Sequence, residues 1–232
     1  MGACVRRAAF ARTARQAIAT YVPTSHVAGL VGDLPRLHVV PLGVDRALFR
    51  PADHPGQNLL YVADFYAHKR HDIVLRAYAA LSAPRPVLRF IGNPNVDPAT
   101  FDRVTRAARA VPGVLVDGRV SFGDLRAAYG AARAFVIASE RESFSMPLAE
   151  AICCGVPAVA RDHPTLRETA GEAALYVAGD EPAVWTAALA RLIGDDTLHA
   201  QLRAAAHAGA ERFSWSVMAG RLVEDLAAAG QA

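Results

Sequence analysis

The chain has 232 residues, 53% of them hydrophobic and 20% charged, with a formal net charge of +3. That balance belongs to a folded globular protein and excludes an intrinsically disordered one. The positive charge is not gathered into a Lys/Arg cluster interleaved with aromatics, so no nucleic-acid partner is expected, and contact with an anionic membrane surface is left open without support.

In chain order, residues 1–18 are rich in Arg and Ala, contain no acid and read as an amphipathic helix. The same bias superficially resembles an organelle-targeting peptide, but the stretch runs without a break into a strand at 19–23. Ser25 is expected to cap a helix that runs to about Val31. Gly32-Asp-Leu-Pro35 is a break and the best linker candidate. Strands are predicted at 37–41, 58–63, 86–91, 114–117, 134–138, 156–160 and 174–177. Helices are predicted at 69–81, 98–111, 122–132, 145–154, 165–170, 181–193, 195–212 and 215–229.

Strands alternate with helices throughout. This predicts an α/β fold with a doubly wound, Rossmann-like parallel sheet and right-handed crossovers. In such sheets a ligand lies beyond the carboxyl ends of the strands. The loops after residues 63, 91, 117 and 138 would therefore bring Lys69, Gly92, Gly118 and Glu142 around one crevice. The chain has no G-x-G-x-x-G, which disfavours a dinucleotide-dependent dehydrogenase.

The densest chemical signal is Glu142-Ser-Phe-Ser-Met-Pro-Leu-Ala-Glu150, closed by Ala151-Ile-Cys-Cys-Gly155. Ser145 reads as a helix N-cap, Pro147 tolerates the first turn, and Gly155 can end the helix at C′. A helix start offers free N–H groups and a partial positive charge, which suits phosphate. Ser145 and Met146 have such groups; Pro147 does not. Glu150 lies roughly 7–8 Å further along the axis. A ligand with hydroxyls at both ends and a diphosphate between them fits this layout. On spacing alone, an acidic loop residue and a solvated helix glutamate are the simpler account of the pair, and the surrounding motif has to decide.

Cys4, Cys153 and Cys154 are odd in number, and two are adjacent on a predicted buried helix. They read as small core residues of a protein in a reducing compartment, the cytoplasm, and not as disulfides or metal ligands. No apolar run approaches the length of a bilayer span.

Ser139-Glu-Arg-Glu142-Ser-Phe-Ser-Met-Pro-Leu-Ala-Glu150-Ala-Ile-Cys-Cys-Gly155-Val-Pro-Ala-Val resembles the donor-site signature of the retaining GT-B glycosyltransferases of family 4. His163-Pro-Thr-Leu-Arg-Glu-Thr-Ala-Gly171 continues the likeness, which extends from about Thr20 to about Leu226. Leu42-Gly-Val-Asp-Arg-Ala-Leu-Phe-Arg-Pro51 is similar to the stretch that begins the family's C-terminal domain. The resemblance implies one half of a GT-B fold. Residues 1–35 would be the end of an N-terminal, acceptor-binding domain. Residues 36–212 would form a Rossmann-like nucleotide-sugar-binding domain, and 213–232 a helix that crosses back to the N-terminal half.

It also implies an activity: transfer of a hexosyl group from a nucleotide diphosphate sugar to an acceptor hydroxyl, with retention and with no cofactor or metal. Glu142 would hold the donor sugar's hydroxyls and Glu150 the ribose hydroxyls. Lys69, with N–H groups of Ser145 and Met146, would face the diphosphate. Arg119 and Val120 would meet the base through their backbone. Gly92 matches the family's glycine after its strand; Gly43 reads equally as a close-approach or a turn glycine. The family usually pairs the lysine with an Arg five residues earlier, where this chain has Asp64, so Arg70 or a partner is expected to supply that charge. His68 and His163 read as loop histidines, and Trp185, Phe213 and Trp215 as packing for the terminal helices. The alternative is a catalytically incomplete nucleotide-sugar-binding module or a subunit of a split enzyme. A separate acceptor-domain chain, or self-association, would cover the apolar face of the last helix. Epimerases share the GT-B fold, but the Glu142 signature and the Gly155-Val-Pro turn favour a transferase.

Overall fold

Six short runs rich in Val, Leu, Ile and Phe stack side by side in the computed structural model, which describes residue 10 and residues 12–229. They are β3 (Asn58–Val62), β4 (Leu88–Ile91), β5 (Val114–Asp117), β6 (Ala132–Ile137), β7 (Ala158–Arg161) and β8 (Ala174–Val177). All pair in parallel, in the order β5-β4-β3-β6-β7-β8. Parallel sheets need helices on both faces, so their central strands are apolar on both sides. Leu59, Leu60 and Tyr61 of β3 and Ala134 to Ile137 of β6 are accordingly all buried. Sequence order reverses between β3 and β6, which makes the carboxyl ends of these two strands the switch point of the sheet.

Four of the helices around the sheet begin where a side chain takes up a free amide. In α2 (His71–Ala79) no side chain does so. Asp97 accepts from Thr100 N at 3.1 Å to start α3 (Pro98–Ala108), with Pro98 in the first turn. Ser121 does the same for α4 (Phe122–Gly130), bonding Asp124 N at 3.1 Å. After α5 (Met146–Cys153), Gly155 is left-handed at φ +67°. Gly155 N bonds Ile152 O and Val156 N bonds Ala151 O, a Schellman ending. His163 Nδ1 caps α6 (Pro164–Ala170), and α7 (Pro182–Gly194) follows. Asp195 caps α8 (Asp196–Gly209) through Leu198 N at 2.9 Å. The last helix, α9, spans Trp215–Ala229.

A smaller unit stands beside this core. β1 (Thr20–Val22) and β2 (Leu37–Val39) pair in parallel around α1 (Ser25–Val31). The domain boundary expected between residues 35 and 36 falls inside this unit, and the six-stranded sheet begins only at Asn58. Thr24 Oγ1 donates to Ser143 O at 3.0 Å, and the Glu168 carboxylate accepts from Ser25 N and His26 N at 2.7 and 2.8 Å. α9 meets the small sheet where His38 Nδ1 lies 3.2 Å from Asp225 Oδ2. Trp215, Val217, Val223 and Leu226 of α9 are exposed.

Several sequence expectations need correction. The cap of α1 is Thr24, one residue before Ser25; its side chain accepts from Val27 N at 3.3 Å. Lys69 does not open a helix. It ends a 3₁₀ turn, Ala67–Lys69, and Arg70 at φ +53° separates that turn from α2. The helix expected to reach 212 stops at Gly209 and passes into a 3₁₀ turn, Ala210–Phe213. Residues 12–16 are helical as expected of the first segment, while 1–9 and 11, including Cys4, lie outside the described residues.

Candidate active site

The switch point opens into a cleft of about 900 Å³ lined by Lys69, Gly92, Glu142, Ser145 and Pro147, with α1 forming the facing wall. The loop after β3 reaches it first. Tyr61 donates its phenol hydrogen to Lys69 O, and Lys69 N bonds Tyr66 O, so the lysine is rooted by backbone contacts on both sides. Gly92 follows β4 on the same wall. A Cβ there would sit 2.0 Å from Ala63 O, so only glycine lets the ends of β3 and β4 lie this close.

The loop after β6 is held by hydroxyls. Arg141 O accepts from Ser139 Oγ at 3.1 Å, Glu142 O from Thr165 Oγ1 at 3.0 Å and Ser143 O from Thr24 Oγ1 at 3.0 Å. Phe144 O accepts from Thr169 Oγ1 at 2.6 Å. Four successive carbonyls are thus satisfied without secondary structure, as buried backbone requires. Glu140 N donates to His68 O at 2.9 Å and ties this loop to the one carrying Lys69. Between them Lys69 Nζ and Glu142 Oε1 lie 2.6 Å apart, both largely shielded from solvent.

Ser145 stands at the cap position of α5, but not in the way expected. Its backbone is left-handed at φ +74° and its side chain makes no capping bond. Its carbonyl accepts from Leu148 N and Ala149 N, while Oγ is buried without a partner. Met146 begins α5 and is half-buried. Glu150, one turn further on, is not on the wall of the cleft. Tyr129 Oη lies 2.7 Å from Glu150 Oε2 and 3.0 Å from Pro147 O, and donates to one at a time. Burial pushes the Glu150 carboxyl up to about 7, against the lowering effect of the Tyr129 bond.

Four other expected residues stand apart from this cleft, among them Gly118, which directly follows β5. Arg119 is exposed and Val120 packs on the core after β5. Gly43 lies under Trp215, where an added Cβ would come within 2.5 Å of the indole. Asp64 lines the cleft and accepts from Asn93 N at 2.9 Å. Arg70 does not answer it: its guanidinium is bonded to Asp72, Glu140 and Asp180. His68 and His163 also line the cleft, each held below the usual histidine range mainly by burial.

Sequence reasoning missed His26, Val27 and Val31 on the facing wall, Arg141 on the Glu142 loop, and the bond from Tyr129 to Glu150. Only Arg141 carried a signal, its place next to Glu142. Burial raises the Cys153 and Cys154 thiols to about 11 and about 12, which leaves both unreactive. Among the described residues no three His, Cys, Asp or Glu side chains gather to hold a metal ion, and no helix is long and apolar enough to cross a membrane.

Comparison with solved structures gives the same fold. Sucrose-phosphate synthase from Thermosynechococcus elongatus matches with a TM-score of 0.83 at 23% identity, over 97% of this chain and 62% of that one. Anabaena HepE in complex with UDP and glucose matches with a TM-score of 0.84 at 15% identity, over 96% of this chain and 67% of that one. Both are α/β structures of the GT-B kind. In sequence, the D-inositol 3-phosphate glycosyltransferase of Thermobispora bispora is 31% identical over 212 residues, which is 82% of this chain and 50% of that protein. The corresponding protein of Acidothermus cellulolyticus is 32% identical over 226 residues, 84% of this chain and 49% of its own length. The chain therefore spans about half the length of the curated relatives it matches. The family profile for glycosyl transferases group 1 matches residues 50–208. With β3 through most of α8 inside that match, the chain belongs to the glycosyl transferases group 1 family.

Proposed function

We propose that this chain is the donor-binding half of a retaining glycosyltransferase, which moves a hexosyl group from a nucleotide diphosphate sugar to an acceptor hydroxyl. The observation that carries this reading is the meeting of Lys69 and Glu142 at 2.6 Å beside the start of α5, at the sheet's switch point. A donor entering the cleft separates that pair. Glu142 accepts hydrogen bonds from the sugar hydroxyls, and Lys69 is released toward the diphosphate. As the bond from the anomeric carbon to the diphosphate oxygen breaks and one to the acceptor oxygen forms, negative charge grows on the leaving diphosphate, which takes up the proton that the acceptor hydroxyl loses. Lys69 and the Met146 amide, at the positive end of α5, stabilise it without a metal ion. For the nucleoside the reading extends past the cleft wall: Glu150, which lies off that wall, accepts from the ribose hydroxyls in its ionised form, and the backbone at Arg119 and Val120 meets the base.

The same reading assigns residues 1–35 and the α9 segment, 213–232, to contact with an acceptor-binding half, and 36–212 to the donor. The exposed apolar residues of α9 support a partner there, either a separate acceptor-domain chain or a second copy. The free, buried Cys153 and Cys154 support a reducing compartment, the cytoplasm. A second reading, a binding module without turnover, is favoured by Asp64, which places an acid beside the diphosphate position.

Calorimetry with UDP-, GDP- and ADP-sugars tests the proposal. Glu150→Ala is expected to weaken nucleotide binding. Glu142→Ala is expected to spare free nucleotide and weaken the intact sugar donor. Parent-like binding of nucleotide sugar by both variants rules out the site. Binding without sugar transfer or donor hydrolysis selects the second reading.

A further inference from the structure

We infer that Arg141 is the guanidinium that clamps the diphosphate of the donor, a role that rests on the donor-site reading above. The charge balance of the cleft leads to it. Its walls carry Lys69 and Arg141 against Asp64 and Glu142, and Lys69 is already bonded to Glu142 at 2.6 Å. A diphosphate adds more than one negative charge, so a second cation has to be free to meet it.

Most arginines rooted at this end of the sheet are paired, and Arg119 after β5, which is exposed and unpaired among the described residues, stands apart from the cleft. Arg70 is bonded to Asp72, Glu140 and Asp180. Arg161 is bonded to Asp180 at 2.7 Å, and Arg167 to Asp162 at 2.5 Å. Arg141 lines the cleft, is exposed, and has no ion pair or side-chain hydrogen bond among the described residues. Its backbone is fixed: Ser139 Oγ bonds Arg141 O at 3.1 Å, and the preceding Glu140 N bonds His68 O at 2.9 Å. Its charge already acts on the cleft, since with Lys69 it helps to hold His68 below the usual histidine range. Arg141 also borders the adjoining hollow, lined too by Arg103, where Asp72 and Glu140 already hold Arg70 and Asp72 also holds Arg76.

A fixed root with a free planar fork suits bidentate contact to phosphate oxygens. The paired arginines would have to give up a carboxylate to do the same. Arg141 gives up only water. It follows the departing diphosphate from the sugar-binding loop itself, because Glu142 is its chain neighbour.

The test is calorimetric titration of the full chain with UDP, GDP, ADP and, as a base-free probe, inorganic pyrophosphate. The parent is compared with Arg141→Gln, Arg141→Lys and the neighbouring control Arg103→Gln. For the nucleotide that the parent binds, Arg141→Gln is expected to raise Kd about 10- to 100-fold, as for loss of a charge-assisted contact. Pyrophosphate affinity falls in parallel. Arg141→Lys recovers part of the loss, Arg103→Gln stays within about twofold of the parent, and the melting temperature does not move, because Arg141 holds nothing in the free protein. An Arg141→Gln Kd within about twofold of the parent overturns the inference and leaves the donor site standing. An equal loss in Arg103→Gln also overturns it, in favour of a diffuse surface field. A parent that binds none of the three nucleotides removes the donor-site reading, and Arg141's role with it.

Discussion

Lys69 Nζ is bonded to Glu142 Oε1 at 2.6 Å although the two residues are 73 positions apart and come from loops on opposite sides of the strand-order reversal. Each satisfies the other in the ligand-free protein, so the cleft at rest holds no isolated buried charge. A ligand must replace both partners at once, which selects one with acceptors for the amine and donors for the carboxylate.

Breaking that pair from one side leaves a shielded charge. Lys69→Ala is expected to lower stability by about 1–3 kcal/mol in urea denaturation. Adding Glu142→Gln is expected to recover part of the loss, with a coupling of about 1–2 kcal/mol in the double-mutant cycle. Strictly additive losses would mean that the two groups do not pair in solution.

Glu150 ties stability to pH. Its carboxyl is raised from 4.5 to about 7 in the fold, mainly by burial. Between those values the folded state holds a proton that the unfolded state has released. Stability from this group therefore falls as pH rises from 4.5 to 7, and the full cost is present above 7. Glu150→Gln is expected to flatten that part of the profile. Tyr129→Phe removes the one bond that favours the ionised form and should move the midpoint upward. Melting temperatures across pH 4–9 would read both effects, and identical profiles for parent and Glu150→Gln would refute the assignment.

Ser145 combines a left-handed backbone with a buried, unpartnered hydroxyl. Glycine removes both costs and adds only its own chain entropy. Ser145→Gly is expected to raise stability by about 1 kcal/mol by chemical denaturation. A lower stability would mean that the hydroxyl finds a partner in solution.

Gly43 separates two readings that the sequence left equal. Its position against the Trp215 indole predicts that Gly43→Ala lowers stability by about 1–3 kcal/mol through overpacking. Trp215→Ala should relieve the clash, and nucleotide affinity should stay unchanged in both backgrounds. Loss of nucleotide affinity with unchanged stability would instead restore Gly43 to the donor site.

Much of the fold was legible because its signals are local. Runs such as Ala134-Phe-Val-Ile-Ala138, the Gly155 ending and the span of α9 follow from apolar periodicity and from glycine and proline positions. The cleft was legible in the two residues that now face each other, Lys69 and Glu142. What escaped depends on distant contacts. Nothing in His68-Lys-Arg-His71 marks Arg70 as left-handed, a conformation held in place by Glu140 and Asp180, 70 and 110 residues away. Ser is by itself the better cap, yet the role falls to Thr24, whose hydroxyl also serves Ser143 O. The hydroxyls that support the Glu142 loop come from residues 24, 139, 165 and 169, a set that only the folded chain assembles.

The bond from Glu140 N to His68 O joins the residue two before Glu142 to the residue just before Lys69, through amide and carbonyl alone. No side-chain replacement short of proline can delete it. The width of the jaws is thus a main-chain property, independent of the charges mounted on them. The site could be refitted with different side chains, for a different cargo, without its two edges drifting apart.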